Sequence, residues 1–388
     1  MKIPITKPFF GEEERQALVA PLDTGWVVQG PQVQRFEEMF AAYTSAPHAI
    51  ATTSCTSALH IAVAALGLKP GDEVIVPGFT WVATANVVEY MGATPVFCDI
   101  ELRTFNIDAE KIEALITPKT VGVIPVHLFG LAADMDAVLA IARRHNLWVV
   151  EDAACGFATW YHGRHVGTFG DAGCFSFHPR KSITTGEGGM LTTTRQDLAV
   201  AARTLRDHGA SHTDLSRHTS KTGYLLSDYA VLGYNYRMTD MQGGLGCAQM
   251  QRAPSLVVGR VTRAKRYDEA LAQCSWLQRP HVPDRCVHGY QSYVTIFSPE
   301  APTLANMAAL HERRNRLMAD LEAQGIATRQ GSHSPLLQTY YATKYPNARE
   351  SCPNSLIADR VSLSLPLYPQ MTDDEQAYVV SALLGATP

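Results

Sequence analysis

Between residues 45 and 195 the chain alternates two hydrophobic textures. Short apolar runs rich in β-branched residues are nearly continuous in hydrophobicity: "EVIVP" (73–77), "TPVFCDI" (94–100), "VGVIPV" (121–126), "LWVVED" (147–152) and "AGCFSF" (172–177). That is the pattern of parallel strands buried on both faces. Between them lie stretches with helical spacing: "SALHIAVAALGL" (57–68), "AEKIEALI" (109–116) and "MDAVLAIARRHN" (135–146). The last closes on basic residues and Asn146, a C-terminal helix signal. Strand and helix in alternation predict a doubly wound α/β unit with a mostly parallel sheet. After residue 250 the pattern changes to a charged helical segment over 257–273, a strand-like "GYQSYVTIFS" (289–298), a helix over 304–324 and a Pro-rich "SLPLYPQMT" (364–372). The expected organisation is a large unit over 1–250 and a smaller α/β unit over 251–388, with about the first 20 residues packing on the smaller one.

Composition narrows the function classes. The 388 residues are 46% hydrophobic and 18% charged, which is ordinary for a globular chain with a large core. The net charge is −4 and the basic residues are scattered, which argues against a nucleic-acid surface. The start, "MKIPITKPFFGEEERQ", has no apolar core of a secretory signal, and no apolar run reaches bilayer length, so no membrane association is expected. The eight cysteines (55, 98, 155, 174, 247, 274, 286, 352) form no CxxC pair and no zinc spacing. Several sit in apolar runs, where a thiol behaves as a small hydrophobe. These features predict a soluble, reduced, cytoplasmic protein without a metal centre.

Four features fall where an open α/β sheet binds ligands, at the carboxyl ends of its strands. The hydroxyl-rich "TTSCTSALH" (52–60) opens a helix, and the free N–H groups there, with the Thr56 and Ser57 hydroxyls, suit a phosphate. The plain alternative is an N-cap with spare serines. Asp152 ends the apolar "LWVVED", where a carboxylate is poorly solvated and calls for a cation; a helix cap, or an ion pair made by its neighbour Glu151, is the bland reading of "ED". Lys181, in "SFHPRKSITTGEGGM" (176–190), precedes Gly186, Gly188 and Gly189, which allow close backbone approach before a strand resumes at "MLTTT". A lysine desolvated in such a pocket has a lowered pKa and can act as a Schiff-base nucleophile, whereas most lysines snorkel to the surface. Trp81, just past a strand end, could stack on a planar ligand or simply pack in the core. A phosphate nest, a stacking aromatic, a strand-end carboxylate and a pocket lysine are together what pyridoxal phosphate (PLP) requires.

At this point the order and spacing resemble the DegT/DnrJ/EryC1/StrS family of sugar aminotransferases. The resemblance runs from "PFFGEEERQAL" to "VSLSLPLYPQMTDDEQAYVVSAL". It is densest in "GDEVIVPGFTWVATANVVEYMGATPVFCDIE", "VIPVHLFG", "SFHPRKSITTGEGGM" and "GYNYRMTDMQGGLGCAQ". The resemblance implies the PLP-dependent fold type I architecture, with Lys181 as the Schiff-base lysine and Asp152 as partner of the pyridine nitrogen. It places Thr56, Ser57 and Ser176 at phosphate-binding positions and Trp81 at the ring-stacking one. Asn235, in "GYNYR", matches an asparagine that the family sends from the neighbouring subunit, which implies a homodimer with shared active sites. Cys55 stands where the phosphate loop commonly has glycine. Cys155 stands at the position that contacts the cofactor's ring oxygen, where glutamine or histidine is usual; a thiol is a weak partner there. The segment "TRQGSHSPL" (328–336) departs from the commoner histidine-and-proline arrangement. His178, Arg329 and His333 are candidate substrate contacts by position, with packing or solvation as the alternative.

The expected reaction is transfer of an amino group, from an amino acid such as glutamate, to a nucleotide-linked keto-sugar by a ping-pong course. A cyclitol ketone as acceptor, or a cofactor-binding regulator without turnover, are the competing readings. The intact lysine and aspartate count against the regulator. The lack of GxGxxG after the first strands argues against a nicotinamide dehydrogenase.

Overall fold

The computed structural model describes residues 1–211 and 227–386. Its strands, in chain order, are β1 (His48–Thr52), β2 (Glu73–Pro77), β3 (Thr94–Cys98), β4 (Thr120–Val123), β5 (Trp148–Asp152), β6 (Trp160–Tyr161), β7 (Arg164–His165), β8 (Ala172–Ser176), β9 (Gly189–Thr193), β10 (Leu277–Gln278), β11 (Cys286–Val287), β12 (Tyr293–Phe297) and β13 (Ser362–Leu365). Seven of them form the main sheet in the order β1-β9-β8-β5-β4-β2-β3. The pairings from β3 through β8 are parallel, whereas β9 runs antiparallel to both β8 and β1. Six strands therefore share one direction, and their carboxyl ends line one edge of the sheet. The first residue of β9, Gly189, lies on that same edge, opposite Thr52 on one side and Ser176 on the other.

The continuous apolar runs are explained by burial on both faces. Val74, Val76, Ile124 and Val150 pack with the helix Cys55–Ala65, whereas the alternate residues Ile75, Val123 and Val149 pack with the helices Pro31–Thr44 and Met135–His145. Asn146 caps the latter helix in the left-handed conformation (φ 52°, ψ 43°), as its position at the end of the basic turn predicts. Residues 109–116 depart from expectation. Two short 3₁₀ turns, Ala109–Lys111 and Glu113–Leu115, replace an α-helix, with the Asp108 side chain capping the first. The segment spans too few residues between anchored strands to nucleate an α-helix of its own.

The charged helical segment expected over 257–273 is longer, running Asp240–Ala270, with a capping box between Thr239 and Gln242 at its start. Residue 250 therefore lies inside one helix. Beyond it, β10, β12 and β13 form a three-stranded antiparallel sheet covered by the helices Met307–Ala323, Pro353–Val361 and Asp373–Leu384. Strand β13 precedes the stretch read from sequence as a Pro-rich tail (364–372) and overlaps only its first two residues. Ile3 pairs with Ile326, and Ile5 accepts from the N–H of Leu367, so the first few residues reach this second unit, whereas the helix Glu12–Thr24, expected there too, packs against the helix Asp240–Ala270 through Glu13, Glu14 and Ala17. The short β6 pairs antiparallel with both β11 and β7 in a second three-stranded sheet. No helix among the described residues is long and apolar enough to cross a membrane.

Candidate active site

Most of the predicted cofactor residues lie along the carboxyl edge of the main sheet. Asp152, at the end of β5, is buried. Its Oδ2 accepts from Thr84 Oγ1 (2.8 Å) and its Oδ1 from the N–H of Ala154 (3.1 Å). Burial raises its pKa above the usual carboxylate value, against the lowering effect of Thr84, Ala154 and the nearby Lys181 amine. Its neighbour Glu151 makes a buried hydrogen bond with a histidine instead, on the opposite face of the strand. Glu151 accepts from His127 Nε2 (2.9 Å) and from the N–H groups of Gly167, Phe169 and Gly170. His127 Nδ1 accepts from the N–H of Ala133 (3.1 Å), so Nε2 is the nitrogen that donates to Glu151. Burial works against the Glu151 charge, but His127 and the backbone donors hold its pKa below the ordinary value.

Lys181 follows β8. Its Nζ lies 3.2 Å from Cys155 Sγ. The expectation of a lowered pKa is corrected here. Burial alone would favour the neutral amine, but the sulfur of Cys155, with Cys55 and Asp152 behind it, outweighs burial and raises the pKa. Cys155 therefore touches the amine directly. Cys55 is buried and donates to the carbonyl of Cys174 (3.4 Å), with its own thiol pKa pushed well up by burial.

The hydroxyl turn is built as the sequence suggests. Ser54 caps the helix Cys55–Ala65 by accepting from the N–H of Ser57 (3.1 Å), and Ser57 Oγ lies within hydrogen-bonding distance of both Thr53 Oγ1 (2.9 Å) and Ser54 Oγ (3.0 Å). The first-turn N–H groups of Cys55 and Thr56 remain without intrahelical partners. Ser176 ends β8 opposite Gly189, and a Cβ on Gly189 would lie 2.3 Å from the backbone of Ser54. Only glycine lets β9 approach the turn this closely.

Trp81 is 55% exposed, so it is not a core residue. Its ring centroid is 6.0 Å from that of His333, and the carbonyl of His333 accepts from the N–H of Thr80. Thr84, one helical turn on, donates to Asp152 and lies 2.9 Å from Thr80 Oγ1. Thr80 and Thr84 escape attention in the sequence, although their i, i+4 spacing beside Trp81 is the available signal. His178 folds back on its own turn, Nδ1 accepting from the N–H of Arg180 (3.2 Å), and burial lowers its pKa. Arg329 is exposed; its backbone pairs with Ser364, and its side chain has no hydrogen bond among the described residues. Asn235 is also exposed. Its neighbour Tyr236 accepts from the N–H of Thr53 (3.0 Å) and contacts His60 Nδ1 through its hydroxyl (3.0 Å).

The residues present fit PLP. Asp152 is a buried carboxylate whose raised pKa shows that its charge is incompletely compensated, and a protonated ring nitrogen would compensate it. A half-buried lysine whose amine meets a sulfur has room to carry an aldehyde carbon. Free N–H groups and hydroxyls at a helix start suit a phosphate.

Comparison with known proteins agrees. Residues 8–384 match the model of the DegT/DnrJ/EryC1/StrS aminotransferase family. The chain is 39% identical over 381 residues to the spore coat polysaccharide biosynthesis protein SpsC of Bacillus subtilis (strain 168), covering 98% of this chain and 96% of that one. It is 38% identical over 387 residues to GDP-perosamine synthase of Caulobacter vibrioides, covering 98% and 97%. The structure of Spr1654 from Streptococcus pneumoniae in its PLP form superposes with a TM-score of 0.90 at 28% identity, covering 99% of this chain and 98% of that one. The chain belongs to the DegT/DnrJ/EryC1/StrS family and is a PLP-dependent aminotransferase.

Proposed function

We propose that the protein transfers an amino group from an amino acid, L-glutamate foremost, to a keto-sugar carried on a nucleotide, for amino-sugar biosynthesis. The observation that carries this reading is the convergence of Lys181, Cys155 and Asp152 beneath an exposed Trp81 and His333. The names of GDP-perosamine synthase and the spore coat polysaccharide protein support a nucleotide-linked sugar as acceptor.

When bound, PLP supplies an electron-withdrawing ring that lets a proton leave the carbon bearing the amino group. Asp152 would hold a proton on the ring nitrogen, with Thr84 and the N–H of Ala154 fixing the carboxylate plane. Thr56, Ser57 and Ser176 would hold the phosphate, and Trp81 would cover one ring face. Lys181 Nζ would carry the cofactor at rest and, once displaced, move a proton at the substrate carbon. Cys155, in contact with that amine, would face the ring oxygen. His178, Arg329 and His333 would meet the substrate at the open side, where Trp81 and His333 already form a shared wall.

In the same proposal the protein is a homodimer, with Asn235 completing the partner's phosphate site. Exposed Tyr229, Val231 and Leu232 (61%, 47% and 89%) flank Asn235 in the chain and support an interface there. The division into units over 1–250 and 251–388, joined through the helix Asp240–Ala270, and a cytoplasmic location belong to it as well.

Borohydride reduction of the holoenzyme followed by peptide mapping should fix the cofactor to Lys181. The amine form of the enzyme should then be discharged by a keto-sugar nucleotide from a panel that also includes cyclitol ketones. Label on another lysine refutes the site; discharge by cyclitol ketones alone refutes the acceptor.

A further inference from the structure

Arg260, on the helix Asp240–Ala270, is only 2% exposed, yet it has no carboxylate partner among the described residues. Its fork reaches three main-chain carbonyls instead. Nη1 donates to Gln291 (3.1 Å) and Leu367 (3.3 Å), and Nη2 donates to Lys181 (3.3 Å). Its Nε has no partner among the described residues. The contrast is with Arg206, equally buried, which is paired at 2.6 Å with Glu37. Burial pulls the Arg260 pKa down to about 10.

A buried cation held by carbonyl dipoles alone is a poor device for stability, since an apolar side chain of similar volume would serve the packing better. What the fork achieves is geometric. Gln291 Nε2 donates to the carbonyl of Arg180 (2.8 Å), so the successive carbonyls of residues 180 and 181 are both held by side-chain donors. The N–H of Lys181 is tied to the carbonyl of His178 (2.8 Å). The backbone of Lys181 is thus held at its nitrogen and its oxygen, leaving only side-chain torsions to place Nζ beside Cys155. Leu367 lies just past β13, and Gln291 lies just before β12, so the fork ties the lysine segment to the second sheet.

We propose that Arg260 is the positioning residue for Lys181. It fixes the main chain from which the amine reaches the cofactor, with Gln291 as its auxiliary. This rests on the reading of Lys181 as the lysine that carries PLP.

The test uses the full-length protein with Arg260→Met and Arg260→Lys, compared below their measured melting temperatures. Three quantities are read: the rate at which PLP added to the stripped protein becomes borohydride-fixable on Lys181, the circular dichroism of the bound cofactor band, and kcat against KM. Misplacement of a reacting group by an ångström can cost about a hundredfold in rate, so Arg260→Met should slow attachment and kcat by roughly ten- to a hundredfold, with the donor KM little changed. The cofactor band should lose dichroic intensity. Arg260→Lys, which can still reach a carbonyl with its ammonium, should recover part of each loss. If Arg260→Met does not fold, Arg260→Lys must still show the slowed attachment and weakened band. Wild-type attachment rate, band and kcat in folded variants overturn the proposal alone. Wild-type enzyme labelled at another lysine overturns it together with the reading of Lys181.

Discussion

Asp152 and Lys181 illustrate how far a residue's role can be read before any coordinates. An acid closing an apolar run must lie at a strand end, and a lysine between a proline and a glycine cluster must lie on a turn beside the sheet. Both inferences need only the local pattern. The direct contact between Cys155 and the Lys181 amine was not legible, because it depends on how two loops separated by 26 positions aim their side chains. The same holds for the Lys181 pKa. Burial is visible in sequence, but the sulfur that outweighs it is not. For Asp152 the expected consequence is direct. Asp152→Asn keeps the hydrogen bond to Thr84 and the packing but removes the charge that holds a proton on the ring nitrogen. An opposite charge at this range is worth about one to three pKa units, so the bound cofactor's ring nitrogen should lose its proton at correspondingly lower pH. The rate of proton removal from the donor should fall by roughly one to three orders of magnitude. Absorbance titration of the bound cofactor and single-turnover kinetics check both. An unchanged titration would remove Asp152 from its role.

At the scale of elements, the strands of the main sheet follow their apolar runs closely, β2 coinciding with "EVIVP" at both ends. Continuous burial on two faces leaves such a run no other use. The helices are less legible where tertiary anchoring overrides propensity, as in the 3₁₀ turns near residue 110 and the long helix that begins at Asp240, well before its charged half. Glycines mark the elements' closest approach. Gly189 begins β9 against the turn Ser54–Cys55, where an added Cβ would meet Ser54 backbone atoms at 2.3 Å and the Cys55 nitrogen at 2.5 Å. Backbone atoms cannot give way as a flexible side chain can, so Gly189→Ala must push the helix start away from β9. Overpacking of this kind costs about 1–3 kcal/mol. Since the displaced atoms are the proposed phosphate donors, most of the damage should appear in cofactor binding. We expect the PLP dissociation constant to rise about tenfold or more, while the far-UV spectrum is retained. Equilibrium fluorescence titration of the stripped protein measures it, and wild-type affinity in Gly189→Ala would show that the turn does not hold the phosphate.

For the whole molecule, alternation of texture announces the main sheet and its layers, but nothing local announces an assembly. The structure adds a physical reason to expect one. Tyr229, Val231 and Leu232 are exposed together, and Leu18, Val19 and Leu22 are exposed on the helix Glu12–Thr24. Asn235 is exposed, while its neighbour Tyr236 accepts from the N–H of Thr53 in the hydroxyl turn. If a second copy supplies Asn235, each site contains Lys181 from one subunit and Asn235 from the other. Subunits carrying Lys181→Ala and subunits carrying Asn235→Ala would each be impaired alone at limiting cofactor. In a random mixture half of the dimers are mixed, and each mixed dimer has one site with both residues intact. Symmetry therefore predicts recovery of about a quarter of wild-type activity. A site contained within one chain predicts only the average of the two parents. Measuring turnover after denaturing and refolding the two variants together, beside a sedimentation measurement of the wild-type enzyme, separates the outcomes. Activity no higher than the parental average, or full activity from a monomer, would confine the site to a single chain.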